Sequence, residues 1–361
     1  MGDLGVCKEE AINGAGGMDM WSSSDGCTVS KADHLVVMVH GILGSNADWK
    51  FAAEHFVKML PDKVLVHCSE RNMNKLTLDG VDVMGERLAE EVTEVIKGRP
   101  NLCKISFVAH SIGGLVARYA IGRLYRPPRS NSFEDSDGRI PDIENSRGTI
   151  CGLEAMNFIT IATPHLGSRG NKQVPFLFGL TAMEKLACHV IHLIFRQTGR
   201  HLFLVDSDDG KPPLLQRMVE DSDDLYFMSA LQAFKRRVVY SNVAYDHIVG
   251  WRTSSIRRNS ELPKFQETPN KIYPHVVHEE ISNGENPDKC NEAIITSDDY
   301  DMIEENLVRG LRRVSWEKVD VSFHTSKVRF AAHSVIQVKD PVMHSEGADV
   351  IQHIIDHFLL T

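Results

Sequence analysis

Seven consecutive residues, Val108-Ala109-His110-Ser111-Ile112-Gly113-Gly114, constrain this chain more than any others. The apolar run before them, residues 105–110, reads as a buried strand, and residues 111–125 read as a helix. A serine hydroxyl is a poor nucleophile unless it is held exposed beside a base. A tight strand-to-helix turn holds it so, and small residues must flank it because the backbones crowd there, which gives the pattern G-x-S-x-G. Ala109 stands at the first glycine position, the smallest departure available. A glycine-rich helix start or a phosphate-cradling turn shares this local composition, so the rest of the chain has to supply a base, an acid and oxyanion donors.

The surrounding elements fit such a turn. Further strands are expected at residues 35–39, 64–68, 154–163, 237–243 and 319–324. Met84, Leu88, Val92 and Val95, spaced by four, four and three, predict one face of a helix over 79–98. Strands alternating with helices indicate an α/β fold with a mainly parallel sheet covered on both faces. Residues 1–32, rich in Gly, Ser and Asp, read as a flexible lead-in. Residues 33–361 read as one α/β domain carrying three insertions. The first is a polar loop at 126–150. The second is a helical cap at about 165–235, which holds the apolar run Val190-Ile191-His192-Leu193-Ile194-Phe195 and could contact acyl chains. The third is a loop-rich insertion at about 252–300.

Val39-His40-Gly41-Ile42-Leu43-Gly44-Ser45 follows the first of these strands. A tetrahedral oxyanion must be met by preorganised N–H groups; the residue after the nucleophile, Ile112, supplies one and Ile42 is the expected second. His40, Gly41 and Leu43 would then border the substrate. The acid should precede the base in the chain, and Asp246, a few residues past the strand at 237–243, has the expected place. Asp206, Asp208 and Asp209 lie in the cap and read as solvated loop acids. Two histidines fit the base, His333 and His344, and sequence position alone does not separate them. Thr163-Pro164-His165 reads as a strand end shaping the acyl site, with His165 structural. His353 and His357 share a helix face but lack the glutamate of H-E-x-x-H, so no metal is expected. His275 and His278 fall in a Pro-containing loop and give no metal signal either.

Composition narrows the partners. The formal net charge is −9, which argues against nucleic acid because phosphate binding needs clustered cations. The short groups Lys235-Arg236-Arg237, Arg257-Arg258 and Arg312-Arg313 read as solvated faces or helix ends. Seven scattered cysteines without a CxxC pair fit reduced thiols in a cytosolic compartment; Cys68 and Cys103 read as small core residues. No run of about 18–20 apolar residues is present. No leader pattern is visible, and Val6 breaks the myristoylation pattern that Gly2 invites. A soluble, cytoplasmic chain is expected, with peripheral membrane attachment and oligomeric state left open.

Residues 34–125, with Val-His-Gly-Ile-Leu-Gly-Ser and Ala-His-Ser-Ile-Gly-Gly-Leu, resemble the eukaryotic serine esterase family of lipase-like α/β-hydrolases. So do Ala162-Thr163-Pro164-His165-Leu166-Gly167, the C-terminal Ala332-His333-Ser334-Val335-Ile336-Gln337-Val338-Lys339, and Gly347-Ala348-Asp349-Val350-Ile351-Gln352-His353. The resemblance covers nearly all of the chain after the lead-in. It implies the α/β-hydrolase fold and hydrolysis of carboxylic esters such as acylglycerols or phospholipids; the candidate residues themselves make up a Ser-His-Asp triad that requires no cofactor. It favours His333 over His344, because an Ala-His before a short β-like run recurs near this position in the family. An acyltransferase, a protein thioesterase and a silent interaction scaffold remain alternatives, since one fold hosts many functions.

Overall fold

The computed structural model describes residues 6–9, 20–23, 31–128, 147–168, 195–207, 210–264, 270–285 and 299–361. Strand β3 (His34–Val39) shows why the sheet lies inside. Leu35, Val37 and Val39 enter one core cluster, and Val36 and Met38 enter the other on the opposite face. A strand buried on both faces has no polar side to expose, hence its unbroken apolar run. Each such side chain contributes roughly 1.5–3 kcal/mol when fully buried.

Around β3 stand β4 (Val64–Cys68), β5 (Lys104–His110), β8 (Glu154–Ile161), β9 (Arg236–Asn242) and β11 (Trp316–Val321). These six run parallel in the order β4-β3-β5-β8-β9-β11. Antiparallel strands flank them: β2 (Met20–Ser23) and β1 (Val6–Glu9) beyond β4, and β10 (Val276–Ser282) beyond β11. A two-stranded ribbon of β6 (Tyr125–Arg126) and β7 (Thr149–Ile150) closes the base of the 126–150 loop. Residues 129–146 of that loop lie outside the described residues.

Helices cover both faces. On one, α2 (Val81–Lys97) turns Met84, Leu88, Val92 and Val95 into the core, with α3 (Gly113–Leu124) beside it. On the other lie α1 (Lys50–Met59) and α10 (Ala348–Asp356). The expected cap is described in part, as α4 (residues 195–202), α5 (Leu214–Arg217) and α6 (Phe227–Ala233). Its residues 169–194, including Val190 to Ile194, fall outside the described residues.

Several expectations change. The lead-in contributes β1 and β2 to the sheet, and the insertion at 252–300 contributes β10 as well as a short helix, α7 (Trp251–Ser254). The strand expected at 319–324 begins earlier, at Trp316. Cys68 is buried, but Cys103 is exposed just before β5. The paired arginines are not free solvated charges. Arg257 is buried and its Nη1 donates to Asp320 at 2.7 Å. Arg312 ion-pairs with Glu261 and Glu285, and Arg258 with Glu261 and Glu305. These pairs tie α8 (Asp299–Leu311) and its C-terminal end to the segment after α7.

Candidate active site

The parallel strands bring the chain segments that follow β3, β5, β9 and β11 to one end of the sheet, where ligands of open α/β sheets bind. After β5 the chain reverses through Ser111, whose φ of 56° lies in the left-handed region. A non-glycine residue there is strained, and such strain persists only where surroundings over-determine it. The Ser111 N–H donates to the carbonyl of Ile161 at the end of β8, 2.9 Å away, pinning the turn to the neighbouring strand. Gly113 is dictated by crowding. A Cβ there would lie 2.5 Å from the carbonyl oxygen of His40 and 2.6 Å from that of Val39.

His333 Nε2 lies 3.0 Å from Ser111 Oγ, and its Nδ1 lies 2.9 Å from Asp246 Oδ2. An ionised carboxylate only accepts, so Nδ1 carries the proton and Nε2 presents a lone pair to the serine hydroxyl. Asp246 is held from four sides. Its Oδ1 accepts the N–H groups of Ile248 (3.0 Å) and Val249 (2.8 Å), while Oδ2 also accepts Asn242 Nδ2 at 2.9 Å. Burial alone would raise its pKa. The adjacent His333 and these hydrogen bonds outweigh that, so the carboxyl stays below its ordinary range.

The turn after β3 lies against the serine. A Cβ on Gly41 would meet Ser111 Cβ at 2.9 Å, so only glycine lets this turn approach so closely. The N–H groups of Ile42 and Ile112 have no hydrogen-bond partner among the described residues. Ile112 stands at the start of α3, where N–H groups are orphaned and the helix dipole favours negative charge. Both residues adjoin the serine turn: Ile112 follows Ser111 in the chain, and Ile42 follows Gly41, which packs against Ser111. His40 is buried with its Nδ1–H donating to Gly41 O at 3.0 Å, and burial lowers its pKa, which favours the neutral ring. Leu43 is exposed at the rim.

Other candidates sit elsewhere. His344 Nδ1 accepts the Asp340 N–H at 3.1 Å. His333 lies on a short helix, α9 (Ala332–Val335), rather than before a β-like run. Asp206 is not a solvated acid: it is buried and accepts the Leu214 N–H at 2.7 Å, holding the start of α5. Asp208 and Asp209 lie outside the described residues. His165 is buried against Thr160 Oγ1 at 2.9 Å, and His275 pairs with Asp349. His278 lies within β10. His353 Nδ1 meets the Tyr240 hydroxyl, and His357 Nδ1 donates to the His353 carbonyl.

Sequence reasoning passed over His110 as strand filler. Its buried ring donates from Nε2 to the backbone carbonyl of His333 at 2.7 Å, tying the serine turn directly to the segment that carries the histidine. Burial and the nearby His333 push its pKa well down, so the ring stays neutral. A histidine closing an otherwise apolar strand was the available signal.

The fold and the turn at Ser111 define an α/β-hydrolase. Residues 29–256 match the family described as putative serine esterase (DUF676), and the chain belongs to that family. It is 28% identical over 281 residues to the putative lipase C4A8.10 of Schizosaccharomyces pombe, covering 74% of this chain and 31% of that protein. To the putative lipase ROG1 of Saccharomyces cerevisiae it is 27% identical over 291 residues, covering 77% of this chain and 37% of that protein. The chain thus spans about a third of these relatives. Among solved structures, the mature Bacillus licheniformis lipase BlEst2 aligns with a TM-score of 0.37 at 14% identity, over 62% of this chain and 71% of that one.

Proposed function

We propose that this chain is a serine hydrolase that cleaves carboxylic esters through a covalent acyl-enzyme. One observation carries the reading: the hydrogen-bonded line from Ser111 Oγ through His333 to Asp246, at 3.0 and 2.9 Å. In this reading Ser111 Oγ attacks the ester carbonyl while His333 Nε2 takes its proton. The oxyanion accepts from Ile42 and Ile112. The tetrahedral intermediate expels the alcohol, protonated by the same Nε2, and leaves Ser111 acylated. Water then attacks, giving its proton to His333, and the carboxylic acid departs as the serine regains its proton. Asp246 keeps the proton on Nδ1 and stabilises the imidazolium. His110 holds the backbone of His333 in place.

Lipid esters are the substrate class we favour. Leu43 (54% exposed), Ile248 (48%) and Phe330 (66%) project from the three segments that also carry Ile42, Asp246 and His333. Exposed apolar side chains on all three segments fit an apolar substrate. The names of the yeast relatives agree with this reading. The test is turnover of a short soluble ester and of a long-chain acylglycerol. Ser111→Ala and His333→Ala are expected to lower both by about a thousandfold or more, with His344→Ala near wild type. A folded Ser111→Ala variant at wild-type turnover overturns the proposal. Product analysis with an added alcohol distinguishes hydrolysis from acyl transfer.

A further inference from the structure

The turn that carries Ile42 is held by a residue far away in sequence. Gly44 N–H donates back to Gly41 O at 3.1 Å, closing a tight turn, and Leu43 at its third position has a φ of 52°. Side chains other than glycine enter that region only at a cost, so something must hold Leu43 there. Thr77 does: its Oγ1 accepts the Leu43 N–H at 2.8 Å and donates its own proton to Asn74 O at 2.6 Å. The hydroxyl is buried, and its single proton is committed, so its lone pair points at Leu43. Asn74 N–H also donates to Gly44 O at 2.8 Å, fastening the same two loops.

The other side of Thr77 faces helix α4 of the cap. Its carbonyl accepts the Thr198 hydroxyl of α4 at 2.8 Å. That hydroxyl in turn accepts Gly80 N–H at 3.0 Å, and His201 Nδ1 accepts Val81 N–H at 3.0 Å. The first N–H groups of a helix lack partners of their own. Here α4 supplies them to α2, and α2 has no side-chain cap of its own. Thr77 therefore links α4, held at its carbonyl by Thr198, to the turn beside Ser111, held at its hydroxyl.

We infer that Thr77 is a positioning residue that sets the oxyanion turn, and that Thr198 ties this setting to the seating of α4. The inference rests on the reading of Ser111 and Ile42 given above. Losing the Thr77 hydroxyl releases Leu43, and the turn relaxes with Ile42 N–H displaced from the oxyanion. Transition-state stabilisation falls while binding of the neutral ester changes little, so the loss belongs in kcat.

The test compares Thr77→Val, Thr77→Ser, Thr198→Val and Ser111→Ala on a soluble short-chain nitrophenyl ester, with thermal midpoints measured alongside. Thr77→Val is expected to lower kcat by about 10–100-fold, less than outright removal of an oxyanion donor, with KM within twofold. Thr77→Ser, which keeps the hydroxyl, retains activity. Thr198→Val lowers kcat several-fold, and adding it to Thr77→Val costs nothing further, because both act through Thr77. A folded Thr77→Val with kcat within twofold of wild type overturns the inference, as does a Thr77→Ser variant equally impaired. Full additivity overturns the link to α4. If Thr77→Val does not fold, an unchanged kcat in Thr198→Val refutes the link and the several-fold loss supports it. An active Ser111→Ala removes the underlying reading altogether, whereas an inactive one beside an unaffected Thr77→Val removes this inference alone.

Discussion

Replacing Asp246 by asparagine preserves shape and removes one charge, and the surroundings dictate the consequence. All four groups bonded to the carboxylate are donors: two backbone N–H groups on Oδ1, and Asn242 Nδ2 and His333 Nδ1 on Oδ2. The backbone donors cannot turn, so the new amide keeps its oxygen there and aims its NH2 at Asn242 and His333. Asn242 can adapt, because its own Oδ1 is buried with no partner among the described residues and can rotate to accept. His333 adapts only by giving up its Nδ1 proton, which moves the proton to Nε2, facing Ser111. The imidazole then cannot take the serine proton. A locked wrong tautomer costs about four orders of magnitude in kcat in a serine protease triad, roughly 5.5 kcal/mol of barrier. Stability should fall far less, because every donor but one is still met. The assay is ester turnover and fluorophosphonate labelling rate for Asp246→Asn and Asp246→Ala, with thermal midpoints. We expect the asparagine variant to be at least as slow as the alanine variant, although it is the closer isostere. Activity within tenfold of wild type in a folded Asp246→Asn would show that Asp246 does not fix the His333 tautomer.

Three further outcomes follow from the packing and charges. Gly113→Ala places a methyl group 2.5 and 2.6 Å from two backbone oxygens of the β3 end, so thermal unfolding should show a loss of about 1–3 kcal/mol and labelling should slow. His34 is buried beside Ser106 Oγ, and burial followed by the Lys104 charge lowers its pKa to about 4 from 6.5. The unfolded chain takes that proton below pH 6.5 and the folded chain only near pH 4, so stability is complete above 6.5 and falls below it. Denaturant titrations of His34→Gln against wild type should show the gap at pH 7.5 narrowing by up to about 3 kcal/mol at pH 4; a constant gap would contradict this. Phe330→Glu should depress turnover of vesicle-borne or micellar esters several-fold and leave a soluble short ester unchanged. Equal losses on both would remove the case for a lipid-facing rim.

Legibility in the sequence followed how local the determining physics was. β3 and β5 were plain because strands buried on both faces leave no polar positions. The serine turn was plain because crowding at Gly113 acts between residues next to the motif and the end of β3. Asp246 followed from its place just beyond β9. His333 and His344 could not be separated by position, since both lie in the short stretch between β11 and α10. What distinguishes them in space is the turn of α9 and the bond from His110. β1 and β2 were invisible because four-residue strands with polar neighbours carry no period. Arg257 and Arg312 looked solvated because their acidic partners Asp320 and Glu261 lie dozens of residues away. Thr77 was equally hidden: nothing in its neighbourhood points to Leu43, 34 residues earlier.

The measurement that bears most directly on the account is the site of covalent capture by a fluorophosphonate, read by peptide mass spectrometry on the folded chain. A single adduct on Ser111 is expected, lost in His333→Ala and retained in His344→Ala. An adduct on another residue, or a folded chain that resists the probe while Ser111→Ala and wild type hydrolyse esters alike, would contradict it.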